Sequence, residues 1–125
     1  MATVAASVEK GSVVVPRLLP DHEPAAGDEA PAHPLTGREA GQLRSLMRAV
    51  VTEGSGRLLA DLPGAPVLAK TGTAEYGQKA PLRTHAWMIA IHGDLAVAVF
   101  VEDGQSGSGT AGPILEEFLR GVPGR

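Results

Sequence analysis

Three runs of residues between positions 67 and 102 alternate as β-strands do, and they constrain the fold more than any other feature. The runs are Val67 to Glu75, Arg83 to His92 and Leu95 to Glu102, separated by turns rich in Gly, Pro, Gln and Asp. Every residue from Leu95 to Val101 is apolar, so both faces of the third run must be covered. The segment His92-Gly93-Asp94 predicts a hairpin between the second and third runs. The chain is therefore expected to build a small sheet between helices.

Two helices are predicted before this sheet. Residues 1–9 are alanine-rich and Gly11 ends them, and a brief strand is predicted from Val13 to Val15. A longer helix is predicted after Thr36, which with Glu39 has the spacing of a capping box. The apolar side chains of this helix recur at helical spacing and are expected to pack in the core: Leu43, Leu46, Met47, Val50 and Val51.

A last helix is predicted after the sheet. It begins at Pro113, because proline is favoured at the first helical position. Ala96 and Ala98 share one face of the third strand, and small residues suit the close approach of this helix. Its apolar side chains are expected to cover that face: Ile114, Leu115, Phe118 and Leu119. The sequence thus predicts an α/β (α+β) fold, with three antiparallel strands flanked by helices.

Composition argues against several classes of function. The 125 residues carry 11 basic and 14 acidic side chains, so the net charge is −3, which argues against binding nucleic acid through bulk charge. Cysteine is absent, which excludes disulfides and thiolate metal sites. The four histidines show no spacing typical of metal ligands. Neither a metal nor a cofactor is therefore predicted.

No part of the sequence predicts a membrane segment or a targeting signal. The N-terminus lacks a basic leader and an apolar stretch of signal-peptide length, and the longest apolar run has seven residues. Residues 20–34 contain four prolines and four acidic residues. We expect this stretch to be an exposed, mobile loop without chemistry.

The candidate for chemistry is the segment Lys70-Thr71-Gly72-Thr73 in the first predicted strand. A glycine weakens a strand and often marks the close approach of another backbone or a ligand. Lys70 would supply a positive charge, while the hydroxyls of Thr71 and Thr73 can hydrogen-bond a carboxylate. Gly72 would let a ligand backbone lie along the strand edge. A segment that only packs is the alternative interpretation.

Several other motifs favour an ordinary structural role. Residues 64–71 miss the phosphate-binding pattern by one residue, because Ala69 stands where glycine is required, so nucleotide binding is not favoured. His85 is expected to pack near the site, and Trp87 is expected in the core. We expect the carboxylates of Glu75 and Asp103 to be solvated. Residues 104–112 are predicted to be a flexible connection.

Three stretches around the candidate site carry a family resemblance. They are K-T-G-T-A-E at 70–75, T-H-A-W at 84–87 and D-L-A-V-A-V at 94–99. Together they resemble the C-terminal part of the transpeptidase domain of penicillin-binding proteins, in the manner of class B enzymes from actinobacteria. The resemblance extends back through residues 47–56 and 2–18. It implies that residues 1–125 are a C-terminal segment of a β-lactamase/transpeptidase-like fold, which is incomplete in this chain.

The resemblance implies a role for each residue of the candidate strand. Lys70 and Thr73 would be catalytic, because Lys70 sustains a positive field and the Thr73 N–H is an oxyanion donor. Thr71, Gly72 and Thr73 would bind the terminal carboxylate of a D-alanyl-D-alanine stem peptide or of a β-lactam. The family is extracytoplasmic and membrane-anchored and acts in peptidoglycan biosynthesis of the cell wall.

Two further family motifs are needed for acylation, and they are S-x-x-K and S-x-N. S-x-N cannot occur because the chain contains no asparagine, and Ser7-Val8-Glu9-Lys10 satisfies S-x-x-K only as a string, since Gly11 follows directly. The chain alone is therefore expected to be inactive and to need the N-terminal part of the domain as a partner. The alternatives are a non-catalytic module that senses stem peptide or β-lactam, and a structural piece that completes a partner's sheet.

Overall fold

The computed structural model describes residues 1–16 and 34–122, and it contains the predicted helices and sheet. The elements in chain order are α1 (Ala2–Lys10), α2 (Gly37–Thr52), β1 (Leu68–Tyr76), β2 (Arg83–His92), β3 (Leu95–Val101) and α3 (Gly112–Arg120). The strand predicted from Val13 to Val15 is wrong, because these residues follow α1 without pairing into the sheet. Of the predicted loop, residues 20–33 lie outside the described residues and Pro34 is exposed.

The sheet has the order β1-β2-β3, and both pairings are antiparallel. Its central strand β2 places Met88 opposite Thr71 on one side and opposite Val99 on the other. The predicted hairpin between β2 and β3 is confirmed, and its turn contains Gly93 with a φ of 61°, in the left-handed region that favours glycine. This register fixes which side chains share a face.

Two helices cover opposite faces of the sheet, and the predicted assignment of the C-terminal helix is wrong. The alanine face of β3 packs with Ala5 and Val8 of α1. Helix α3 covers the other face, where its Leu115 and Leu119 pack in one apolar cluster with alternate residues of β3. These β3 residues are Leu95, Val97, Val99 and Val101. The central strand decides this, because it presents only Ala86, Met88 and Ala90 toward α3 and so leaves room for leucine side chains.

Helices α2 and α3 each bury a narrower stripe than the sequence predicts. Met47 and Val51 of α2 are buried, whereas Leu43 and Leu46 are 38% and 65% exposed. These two leucines line an open groove of about 570 Å³ with Val13, Pro34 and Leu35. Two predicted core residues of α3 are likewise about half exposed, namely Ile114 and Phe118. Each helix therefore contacts the core through residues spaced by about one turn.

The start of α2 has the predicted capping box. The Glu39 N–H donates to Thr36 Oγ1 at 3.3 Å, and the Thr36 N–H donates to Glu39 Oε2 at 2.9 Å. Farther along α2, the Arg48 guanidinium donates to the carbonyl of Val67 at 2.9 Å, directly before β1. Helix α2 therefore holds the start of the strand that carries the candidate site.

Candidate functional site

The residues of the candidate site lie in the middle of β1, where strand alternation divides them between two faces. Thr71 and Thr73 lie on the α3 side, opposite Met88 and Ala86 of β2. Lys70 and Gly72 lie on the other side. Lys70 and Thr73 are exposed, while Thr71 and Gly72 are half-buried. The strand therefore presents an ammonium group and two hydroxyls at the surface.

The charge of Lys70 is not neutralised within the part of the chain that the structure describes. Its Nζ donates to the carbonyl oxygen of the adjacent Thr71, and no ion pair joins it to an acidic side chain among residues 1–16 and 34–122. A carbonyl partner carries only a partial charge. The ammonium group thus remains a centre of positive charge on which an anion can bind.

A serine that the sequence did not single out contacts the site. Ser55 Oγ lies 3.0 Å from Thr71 Oγ1, and either atom can be the donor. Ser55 sits between Gly54 and Gly56 in the turn that follows α2. The pattern Gly-Ser-Gly at a helix end indicates a turn with an exposed serine. It does not predict the contact with Thr71, which depends on how α2 packs against β1.

Gly72 lies against the backbone of a second glycine. A Cβ added at Gly107 would lie 2.9 Å from both the nitrogen and the oxygen of Gly72, and it would also meet the carbonyl oxygen of Trp87. Gly107 begins a π-helical turn, Gly107–Ala111, and the Ser106 hydroxyl accepts from the Gly109 N–H at 3.0 Å. The predicted flexible connection at 104–112 is therefore wrong, because this segment is hydrogen-bonded and packed against the sheet.

Aromatic rings occupy the Lys70 side of the sheet beyond α1. Tyr76 stacks on His85 with ring centroids 3.9 Å apart, and Trp87 lies 4.4 Å from Phe100. His85 Nδ1 is 2.7 Å from the carbonyl oxygen of Glu102. The packing predicted for His85 is confirmed, whereas Trp87 is only half-buried and joins this aromatic group rather than the apolar core.

The carboxylate of Asp103 is exposed, as the prediction of a solvated group expects, and it is also paired. It forms an ion pair with Arg83, and Arg83 Nε donates to Oδ1 at 2.9 Å. The Tyr76 hydroxyl donates to the same oxygen at 3.1 Å. Glu75 is exposed. The structure therefore uses Asp103 to join the ends of β1 and β2 to the segment after β3.

The remaining candidates have structural positions. The hydroxyl of Ser7 donates to the carbonyl of Thr3 at 2.8 Å and accepts from the Val14 N–H at 2.9 Å, which suits an ordinary helix end. His85 and His92 lie on opposite faces, as predicted, and His92 is buried. Within residues 1–16 and 34–122 no three acidic, histidine or cysteine residues form a metal-binding group. The helices of that part of the chain are too short or too polar to cross a membrane.

A comparison with protein families decides what this chain is related to. The family profile described as the penicillin binding protein transpeptidase domain matches residues 1–120. The chain belongs to this family. The predicted resemblance to the transpeptidase domain of penicillin-binding proteins is therefore confirmed. None of the curated proteins compared with the chain matches it significantly.

Solved structures of penicillin-binding proteins contain a region with a fold similar to that of this chain. The D,D-transpeptidase domain of a peptidoglycan glycosyltransferase from Eggerthella lenta is 30% identical, with a TM-score of 0.53 over 68% of this chain and 20% of its own. Pseudomonas aeruginosa PBP2, in complex with WCK 5153, is 26% identical, with a TM-score of 0.53 over 69% of this chain and 20% of its own. The predicted fold class is confirmed. The chain spans about 20% of the length of these penicillin-binding proteins.

Proposed function

We propose that the chain is the C-terminal segment of a serine D,D-transpeptidase of cell-wall synthesis. In this proposal β1 binds the terminal carboxylate of a peptidoglycan stem peptide that ends in D-alanyl-D-alanine, and the carboxylate of a β-lactam in the same place. The observation that carries the proposal is that one short stretch of β1 carries both the exposed Lys70 ammonium and the hydroxyls of Thr71 and Thr73. The family would place this segment outside the cytoplasm.

Each residue of the strand has a distinct part in this proposal. Lys70 supplies the long-range positive field, and its charge is not offset by an ion pair within the described residues. Thr71 and Thr73 lie on the same face about 7 Å apart along the strand and donate hydrogen bonds to the anion. The Thr73 N–H is one donor to the oxyanion of the acylation step. Gly72, on the opposite face of the strand, would let a ligand backbone lie close along the strand edge.

The proposal includes the inactivity of the chain by itself. Acylation needs a nucleophile beside a base, and the hydroxyl of Ser7 is already engaged with Thr3 and Val14. S-x-N is missing because the chain has no asparagine. We therefore expect no covalent adduct after incubation of the 125-residue chain with a fluorescent penicillin, measured as intact mass. A stoichiometric mass increase that Ser7→Ala abolishes would contradict this.

The roles of the strand are tested in the protein as its gene encodes it. Lys70→Ala and Thr73→Val should each slow acylation by penicillin about ten- to a hundredfold, since losing a hydrogen bond to a charged group costs about 1.5–3 kcal/mol. Thermal unfolding should not change, because both side chains are exposed. Lys79→Ala removes another exposed lysine outside β1 and serves as the control. Unchanged acylation in both β1 variants would refute the assigned roles.

A non-catalytic module that senses stem peptide or β-lactam is the second candidate. It is favoured by the fact that the anion-binding groups of β1 are all present although the chain lacks S-x-N. The DNA upstream of Met1 separates the two functions. An in-frame extension that encodes S-x-x-K and S-x-N supports the transpeptidase, whereas a stop codon next to an independent ribosome-binding site supports the sensing module. Co-purification of a partner would instead indicate a piece that completes another protein's sheet.

A further inference from the structure

We propose that Ser55 is a positioning residue that directs the hydroxyl proton of Thr71 toward a bound carboxylate. The inference rests on the proposed function, because it assigns Thr71 to carboxylate binding. Its basis is the 3.0 Å contact between Ser55 Oγ and Thr71 Oγ1, which joins residues 16 positions apart in the sequence. By this contact, the turn after α2 becomes part of the anion site.

The turn that carries Ser55 is held rigidly by its two glycines. The Gly54 N–H donates to the carbonyl of Ala49 at 3.1 Å, and the Gly56 N–H donates to that of Val50 at 2.9 Å. A Cβ at Gly54 or Gly56 would lie 3.0 to 3.1 Å from backbone atoms of Val50, so the turn is packed closely against the end of α2. The backbone on both sides of Ser55 is therefore held against α2, from where the Ser55 hydroxyl reaches Thr71 on β1.

The Ser55 hydroxyl is not needed to end the helix. The backbone N–H groups of Glu53, Gly54 and Gly56 already donate to carbonyls in the last turn of α2, those of Ala49 and Val50. The Ser55 side chain hydrogen-bonds to Thr71 instead. A serine that served only as a turn residue would not require this partner. The contact thus concerns the site on β1 rather than the helix end.

The direction of this hydrogen bond determines what Thr71 can offer to a ligand. If Thr71 donates to Ser55, its proton is used and only oxygen lone pairs face the ligand, which repel a carboxylate. If Ser55 donates to Thr71, the Thr71 proton is free to donate to the ligand. An anion therefore selects the second arrangement. In that arrangement the two hydroxyls polarise one another in series and strengthen the bond to the ligand.

We call this arrangement, in which Ser55 donates to Thr71 and Thr71 donates to the ligand, the hydroxyl relay. The relay should favour a charged acceptor on the ligand over a neutral one. A hydrogen bond to a carboxylate is roughly twice as strong as one to a neutral oxygen, so it gains more from a polarised donor. A stem peptide with a free C-terminal carboxylate would gain from Ser55, whereas the same peptide as a methyl ester would gain little. Ser55 is thus expected to contribute to recognition of the free terminus.

The test measures equilibrium binding, which does not require a nucleophile. It uses the protein as its gene encodes it. The probes are an N-acetylated peptide ending in D-alanyl-D-alanine and its C-terminal methyl ester. The binding of each probe is measured by ligand-observed NMR. Ser55→Ala should weaken carboxylate binding about three- to tenfold and leave ester binding unchanged. Ser55→Thr, which keeps a hydroxyl, should retain wild-type affinity. Ser45→Ala, at an exposed serine of α2 that donates to Gly41, is the matched control.

A second background separates positioning from a general effect on the fold. In Thr71→Val the relay has no acceptor, so adding Ser55→Ala should produce no further loss. An equal loss for peptide and ester, or a loss that persists with Thr71→Val, would overturn the inference. Ser55→Cys keeps a side chain of similar size with a weaker hydrogen bond, and it supplies the same comparison if the alanine variant unfolds.

Failure of the proposed function gives a different result. If the wild-type protein binds the peptide no better than its ester, β1 is not a carboxylate site, and the role proposed for Ser55 falls with it. If the wild-type protein prefers the peptide and Ser55→Ala keeps that preference unchanged, the carboxylate site stands and the positioning role of Ser55 is rejected.

Discussion

The two ends of the sheet differ in burial and in chemistry. The hairpin end, where β2 runs into β3, is buried, with every β2 residue from Met88 to His92 inside the molecule. The open end consists of Thr73 to Tyr76, Arg83 to Trp87 and Phe100 to Asp103. It carries exposed hydroxyls, aromatic rings and an ion pair. Apolar burial at one end therefore fixes strands whose other end is free to present polar groups.

This division accounts for how a strand as polar as β1 is kept in place. Ala69 at its start is fully buried, but Thr73, Ala74 and Glu75 toward its end are exposed and contribute little apolar burial. The neighbouring segments compensate through specific contacts from Ser55, Gly107 and Asp103. The hairpin end is thus held by nonspecific apolar packing, while the open end depends on individual atoms.

The largest effect is expected at Gly107, which packs at the boundary between the two ends. Gly107→Ala places a Cβ against backbone atoms of Gly72 and Trp87, and these atoms cannot move without shifting both strands. We expect the free energy of unfolding to fall by about 1–3 kcal/mol in urea titrations. Gly41→Ala in α2 is the control, because its Cβ would meet nothing within 4 Å among the residues that the structure describes. It should stabilise the protein by about 0.5–1 kcal/mol.

The next effect concerns His92 at the hairpin end. His92 is 2% exposed, and within the described residues neither ring nitrogen has a hydrogen-bond partner. His92→Leu should raise the free energy of unfolding by about 1–3 kcal/mol, because it removes a buried polar group that is not satisfied. His85→Leu at the open end should give no gain, since His85 Nδ1 hydrogen-bonds Glu102. If His85→Leu stabilised the protein and His92→Leu left the free energy of unfolding unchanged, the proposed difference between the two ends of the sheet would be contradicted.

A smaller effect is expected for the ion pair at the open end. The side chains of Arg83 and Asp103 are 60% and 53% exposed, so solvent weakens their attraction. Asp103→Asn should lower the free energy of unfolding by at most about 1 kcal/mol. Repeating the measurement at about 1 M salt, where screening acts over roughly 3 Å, should reduce the difference. A larger loss that salt does not change would mean that the open end depends on this pair for its fold.

The smallest effect is a pH dependence at the start of α2, away from both ends of the sheet. Hydrogen bonds from the Thr36 side chain and backbone lower the pKa of the Glu39 carboxyl from its ordinary value of 4.5. A lowered folded-state pKa contributes stability that is present above 4.5 and is lost as the pH falls through the folded value. Glu39→Gln should therefore flatten the acid side of the stability profile measured by thermal unfolding between pH 3 and 6. An unchanged slope would argue against this contribution.

The sequence alone determined the local elements and the family. The capping box at Thr36, the hairpin at Gly93 and the alternation of β1 to β3 each depend on neighbouring residues, so their patterns are visible in the order of amino acids. The K-T-G-T strand was recognisable for the same reason, because its chemistry lies in consecutive residues. The exclusion of S-x-N required only the absence of asparagine.

The tertiary structure decided which surfaces meet. The contacts of Ser55 with Thr71 and of Arg83 with Asp103 join residues 16 and 20 positions apart, and no periodicity specifies them. The same holds for the covering of the alanine face of β3 by α1 rather than by α3. Helix periodicity states that an apolar stripe must be buried, but it does not state against what. That choice follows from the volumes of the facing side chains, which become comparable only when distant segments are packed together.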